Sequence, residues 1–140
     1  MIALAIDIGE VRCGIAVSDA TGRVALPVKV LPAIEVVSLA RSFRDVLAEY
    51  EPEMLVCGSP LTLAGELGPQ AERIRAEAEA IGSAADLPVA FVDERMSSRE
   101  AKRILRERGC TEREMRGKLD MIAASLFLQT WLDRRNRTGR

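Results

Sequence analysis

The chain has 140 residues, 48% of them apolar and 29% charged, and its formal net charge is −1. That length suits one domain with a core of its own, and no apolar run approaches the roughly 20 residues of a membrane span. Histidine is absent, which excludes imidazole zinc sites and every catalytic triad built on imidazole.

The first stretch, MIALAIDIGEVRCGIAVSD, predicts the centre of the fold. Ile2, Leu4, Ile6 and Ile8 alternate with Ala3, Ala5 and Asp7, so both faces of the strand are apolar except at Asp7. A strand covered on both faces belongs in the middle of a sheet. An ionised carboxylate there costs several kcal/mol, on the order of the burial penalty for an ion, unless a cation or hydrogen-bond donors meet it. Asp7 either caps a turn or pairs with Arg12, or it serves a metal or phosphate site. Gly9 to Arg12 make a tight connection, residues 13–18 read as a second strand, and the two form a hairpin. Asp19-Ala20-Thr21-Gly22 is a turn signal. A third strand follows over Val24 to Leu31, where Pro27 points to an edge position or a bulge.

From Ile34 to Tyr50 the apolar residues recur at helical spacing, and Pro52 ends the helix. Met54 to Gly58 is a short apolar strand, Ser59 to Gly68 a glycine-containing loop, and a helix follows with Ala71, Ile74, Ala78 and Ile81 on its core side. Pro88 to Asp93 is another buried strand. Ser97 to Glu100 fits a capping box opening a helix to about Arg108, and Thr111 to Glu114 repeats that signature. Lys118 to Arg134 is a helix apolar on most sides, hence largely enclosed, with Asp120 in its first turn. The expected architecture is α/β: a mixed five-stranded sheet in the order β-β-β-α-β-α-β-α, with one more helix, and helices on both faces. Residues 1–135 read as one domain and 136–140 as a flexible basic tail.

Cys13, Cys57 and Cys110 are too few and too widely spaced for a disulfide framework or a zinc site. Cys57 reads as a small core residue and Cys110 as a loop residue. Met1 leads directly into the first strand without a basic n-region, so no signal peptide and a cytoplasmic location are expected. From Arg95 onward thirteen Lys or Arg stand against six Asp or Glu, which allows a localised positive face or a solvated tail.

Three carboxylates stand where apolar residues would be expected: Asp7, Glu94 just past a buried strand, and Asp120. The crossover places Glu94's strand parallel to that of Asp7, and α/β sheets bind ligands at such carboxyl ends. Three converging negative charges require bound cations or raised pKa values. Oxygen ligands without histidine or cysteine suit Mg²⁺ or Mn²⁺. Asp93 competes with Glu94, because strand parity puts the two on opposite faces, and Asp120 also suits a plain helix N-terminus. Gly9 and Gly14 would let a phosphate backbone approach. Arg12 is suited to hold a phosphate or to pair with Glu10 or Asp19; Arg95 and Lys102 suit a phosphate or a solvated surface.

The segments DIGEVRCGIAVSD, GSPLTLAGELGPQ, VDERMSSREAKRIL and KLDMIAASLFLQTWL, in this order and spacing, resemble the bacterial YqgF/RuvX family over essentially the whole chain. These are Holliday-junction resolvase-like proteins, also described as pre-16S rRNA nucleases, with a ribonuclease H-like fold. The resemblance implies a metal-dependent nuclease with Asp7, Glu94 and Asp120 as catalytic and metal-binding acids. It implies nucleic acid as partner: structured RNA, the 16S rRNA precursor above all, with branched DNA as the alternative. A monomer or a homodimer is expected, and no membrane. Ala64 stands where the family often carries an acid, Cys13 replaces an aliphatic residue, and Ser97-Ser98 stands for a Thr pair. Two other classes remain open at this point. The first segment also resembles the phosphate loop of the actin and sugar-kinase group, and a non-catalytic ribosome-associated module fits as well.

Overall fold

The computed structural model describes residues 1–59, 68–93 and 97–137. Five strands form one sheet in the order β3-β2-β1-β4-β5: β1 (Ala3–Ile8), β2 (Arg12–Ser18), β3 (Ala25–Pro32), β4 (Met54–Ser59) and β5 (Val89–Asp93). β1 pairs antiparallel with β2 and parallel with β4, so it is the central strand, as its two apolar faces require. β3 is an edge strand. Its register against β2 shifts between Ile15 and Ala16, where Pro27 opposes Ala16. Pro27 thus sits beside a bulge on an edge, the position where a missing N–H costs least.

The helices are α1 (Ala33–Val37), α2 (Arg41–Tyr50), α3 (Pro69–Ala85), α4 (Ser97–Glu107), α5 (Glu112–Arg116) and α6 (Leu119–Arg137). The single helix expected over 34–50 is two. Leu39 adopts a left-handed φ of 52°, and Ser42 Oγ donates to Glu35 Oε1 across the corner at 2.6 Å. The break turns the chain so that Val36 of α1 and Phe43 of α2 both reach the core. Further on, α5 opens with the expected capping box: Thr111 Oγ1 accepts from Glu114 N, and the Glu114 carboxylate accepts from Thr111 N. α6 runs through Arg137, and Asn136 Nδ2 donates to the Gly22 carbonyl, so helix extends two residues into the segment expected as a tail.

The two faces of the sheet differ in side-chain size, and this positions everything else. On one face Leu4, Ile6, Ile8, Cys13 and Ile15 pack against Val36, Phe43, Val46, Ile74, Ala78 and Ile81 of α1, α2 and α3. The other face presents Ala3, Ala5, Ala16, Val56 and Val92 to Ala124, Phe127, Leu128 and Leu132 of α6. Small residues let α6 lie close against β1 and β2. α4 packs on α6 in turn, and it buries Ala101 and Leu105. Among the described residues no helix is long and apolar enough to cross a membrane.

Candidate active site

Asp7 stands one residue before the end of β1, directly opposite Gly14 of β2. Opposed residues of an antiparallel pair share a face, so both lie on the side of Ala3 and Ala5, where α6 packs. A β-carbon built on Gly14 would fall 2.1 Å from both the carbonyl carbon and the oxygen of Asp120, and 2.5 Å from Met121 N. The first turn of α6 therefore rests directly on the backbone of β2. This contact brings Asp120 to the strand position beside Asp7. On the other flank, the register that pairs Ile6 with Cys57 sets Gly58 next along β4 beside Asp7. Asp7 is thus flanked on the sheet by two glycines, Gly14 and Gly58.

The expectation that Gly14 opens a way for phosphate is corrected here: the Asp120 backbone fills that space. Gly9 is likewise required by the protein itself, because a β-carbon there would lie 2.4 Å from the Arg12 carbonyl oxygen. It allows the hairpin to close tightly enough to carry Arg12 to the same corner.

Arg12 Nε lies 3.6 Å from Asp120 Oδ2, with the two side chains 49% and 30% exposed. Its alternative partners are engaged elsewhere. Glu10 pairs with Arg73, and the Asp19 carboxylate accepts from Thr21 Oγ1 and the amides of Arg23 and Val24. At 3.6 Å and half exposed, the Arg12–Asp120 pair is weak. Partial burial raises the Asp120 pKa above the usual aspartate value, and the lowering effect of Arg12 does not cancel it. The lowering by Arg12 falls short of the raising by burial, so the ionised Asp120 carboxylate is held at a cost in this corner, which a bound cation would offset.

Cys13 lies on the opposite face of β2. Burial, with smaller contributions from the carboxylates of Asp7, Glu77 and Asp120, pushes its thiol up to about 11 against a lowering hydrogen bond at Gly9. It is therefore a protonated core thiol without nucleophilic character.

Asp93 pairs in register with Ser59 and shares the face of Phe91, whereas Val92 points towards α6. Asp93 is thus on the side away from Asp7. Glu94 and Arg95 lie outside the described residues, and so does the loop over 60–67. Among the described residues no group of three acidic or cysteine ligands assembles; Asp7 and Asp120 are the two acids the fold brings together. Ser59, expected to open the loop, instead closes β4 on the face of Asp93, where its hydroxyl is buried with no hydrogen-bond partner among the described residues. Sequence reasoning missed Gly58, whose only signal was a glycine closing an apolar strand.

The architecture matches known proteins over its full length. T. thermophilus RuvC, solved in complex with a Holliday junction substrate, superposes with a TM-score of 0.59 at 16% identity, covering 99% of this chain and 98% of that one. The Fowlpox virus resolvase, solved with Holliday junction DNA, gives 0.57 at 16% identity over 96% and 99%. At such identity the likeness speaks for the fold, and the ribonuclease H-like expectation holds. Curated relatives are closer in sequence. One from Thermosynechococcus vestitus is 38% identical over 137 residues, 98% of this chain and 91% of that protein. Another, from Anaeromyxobacter dehalogenans, is 43% identical over 136 residues, 96% and 98%. Both are named, provisionally, pre-16S rRNA nucleases. The family described as RuvX, Holliday junction resolvase, matches residues 1–134. With relatives this similar along nearly its whole length, the chain belongs to the RuvX family.

Proposed function

We propose that this chain is a divalent-cation-dependent nuclease that hydrolyses a phosphodiester in structured RNA and trims the 5′ end of the 16S rRNA precursor in the cytoplasm. The observation that supports it most is the corner where the first turn of α6 seats Asp120 over Gly14 beside Asp7, with the ionised Asp120 carboxylate disfavoured by its partial burial. The names of its curated relatives support the choice of RNA.

Oxygen donors without imidazole or thiolate fit Mg²⁺ or Mn²⁺, held by Asp7, Asp120 and Glu94. Glu94 is preferred to its neighbour because Asp93 shares the face of Phe91, away from Asp7. A cation in such a site activates water and neutralises charge on the phosphoryl oxygens. The chain's own residues do the rest. Asp7 is held rigidly because it projects from the central strand, paired on both sides. Arg12, exposed and only loosely tied to Asp120, is free to turn its fork to a phosphate oxygen, where two parallel hydrogen bonds fix orientation. Arg95 follows the proposed third acid directly and suits the same task.

Cleavage of labelled precursor rRNA and of a four-way DNA junction, side by side in Mg²⁺, Mn²⁺ or EDTA, tests this reading. Wild type should cut the RNA with either metal and lose activity in EDTA, and Asp7→Asn should be inactive throughout. Preferential cutting of the junction by a two-fold dimer would move the assignment to a resolvase. No cutting of either substrate in any metal would sink the nuclease.

A further inference from the structure

The two helical layers carry opposite charge. In the layer of α1, α2 and α3 with their connections (residues 33–53 and 68–86), four Arg stand against nine Asp or Glu. In the layer of α4, α5 and α6 (residues 97–137), eleven Lys or Arg stand against six Asp or Glu. The chain's near-zero net charge thus hides a strong polarity across the sheet. A polyanion is repelled by one face and attracted to the other.

Within the basic layer the charge has an order. α4 turns Ala101 and Leu105 inward, and Arg99, Lys102, Arg103 and Arg106 are all exposed. Their spacing of i, i+3, i+4 and i+7 sets them on one stripe about 10 Å long. Arg103 is held on the helix by Glu100 and Glu107, and Arg106 lies 3.8 Å from Glu112. Arg99 and Lys102 form no ion pair among the described residues, and they occupy the first half of α4. That helix begins beyond the carboxyl end of β5, the same end of the parallel strands at which Asp7 stands on β1 and α6 begins. The two unengaged cations therefore lie at the end of α4 nearer the acidic corner.

We infer that α4 is the docking surface for the phosphate backbone of the substrate, with Arg99 and Lys102 as its main phosphate contacts, and that the α2–α3 face takes no part. This rests on the nuclease reading, because that reading places the reacting phosphate at Asp7 and Asp120. A strand lying along α4 arrives there with the acidic layer turned away.

The test is fluorescence anisotropy in EDTA, with labelled precursor rRNA in one arm and a four-way DNA junction in the other, over a range of KCl concentrations. Two charge-matched double variants are compared with wild type: Arg99→Gln with Lys102→Gln on α4, and Arg41→Gln with Arg44→Gln on α2. All four residues are exposed, so both variants should keep the wild-type circular dichroism spectrum and melting profile. The α4 pair should weaken binding at least about tenfold near 100 mM salt and reduce the log–log salt slope by roughly 1.4 to 1.8, the loss of two phosphate contacts. The α2 pair should stay within about twofold of wild type. Equal effects from the two pairs, or an α4 pair that binds like wild type, would overturn the placement while leaving the nuclease standing. A wild type that binds neither nucleic acid would overturn both. An α4 pair that loses adsorption to phosphatidylserine vesicles but not nucleic-acid binding would reassign the surface to a membrane and so refute the proposal.

Discussion

Gly14 and Asp120 are in backbone contact: no side chain fits between them, since a β-carbon on Gly14 would sit 2.1 Å from the Asp120 carbonyl carbon. The strand that pairs with β1 is therefore also the seat of α6. Because Gly14 opposes Asp7, one glycine sets the spacing of two acids that are 113 positions apart in the chain.

Gly14→Ala should lift the first turn of α6 away from β2. Forcing a methyl into such a contact costs about 1–3 kcal/mol, and a misplacement on the order of 1 Å at a reacting centre costs about 10²-fold in rate. The expected result is a folded protein with kcat reduced about a hundredfold and KM for the RNA little changed. Activity within a few-fold of wild type would show that α6 can shift without consequence.

Asp120→Asn should abolish cleavage and yet raise the melting temperature of the metal-free protein at neutral pH. The sign follows from linkage. The folded-state pKa of Asp120 is raised, so between the unfolded and folded pKa values the native state holds more protons than the unfolded one. Stability then falls as pH rises through that window, and above it the ionised carboxylate is a standing cost. A neutral amide removes this cost. Calorimetry in EDTA at neutral pH checks it, and a lower melting temperature than wild type would contradict it.

Arg12→Gln removes a guanidinium that lowers the Asp120 pKa, so the acid limb of the pH–rate profile should move to higher pH. Loss of a phosphate fork should raise KM as well. Arg12→Lys should restore the acid limb, which needs only a charge, better than it restores KM, which needs the bidentate geometry. A pH profile unchanged in Arg12→Gln would detach Arg12 from Asp120.

Cys13 and Cys57 are buried and Cys110 is partly exposed. With the Cys13 thiol pushed up to about 11, a thiol reagent near pH 8 should label Cys110 alone in the native protein and all three after denaturation. Cys13→Ala should retain cleavage, because no step uses the thiol. Fast native labelling at a second cysteine would contradict this burial.

Phe127→Ala should destabilise the fold by about 3–5 kcal/mol, because Phe127 is 1% exposed in the cluster between α6 and the small-residue face of the sheet. Denaturant titration measures it, and a loss under about 1 kcal/mol would mean that α6 is not packed there as described.

What the sequence determined was everything that local pattern and period control. Ile2 to Ile8 marked a doubly covered strand, Pro27 an edge or a bulge, Thr111 to Glu114 a cap, and the apolar run after Lys118 a largely enclosed helix. It also singled out Asp7 and Asp120, because a charge in an apolar pattern needs a reason wherever it ends up. Their adjacency lay beyond local pattern, since it depends on close approach of backbones remote in the chain. Gly14 read as an opening for phosphate, and only the packed helix showed that Asp120 fills it. The left-handed turn at Leu39 escaped notice for the same reason, because its cost is offset by burying Val36 and Phe43. The polarity between helical layers was equally hidden. Charge sums along a chain, but only the sheet decides which charges share a face, and that decides from which side a polyanion can approach.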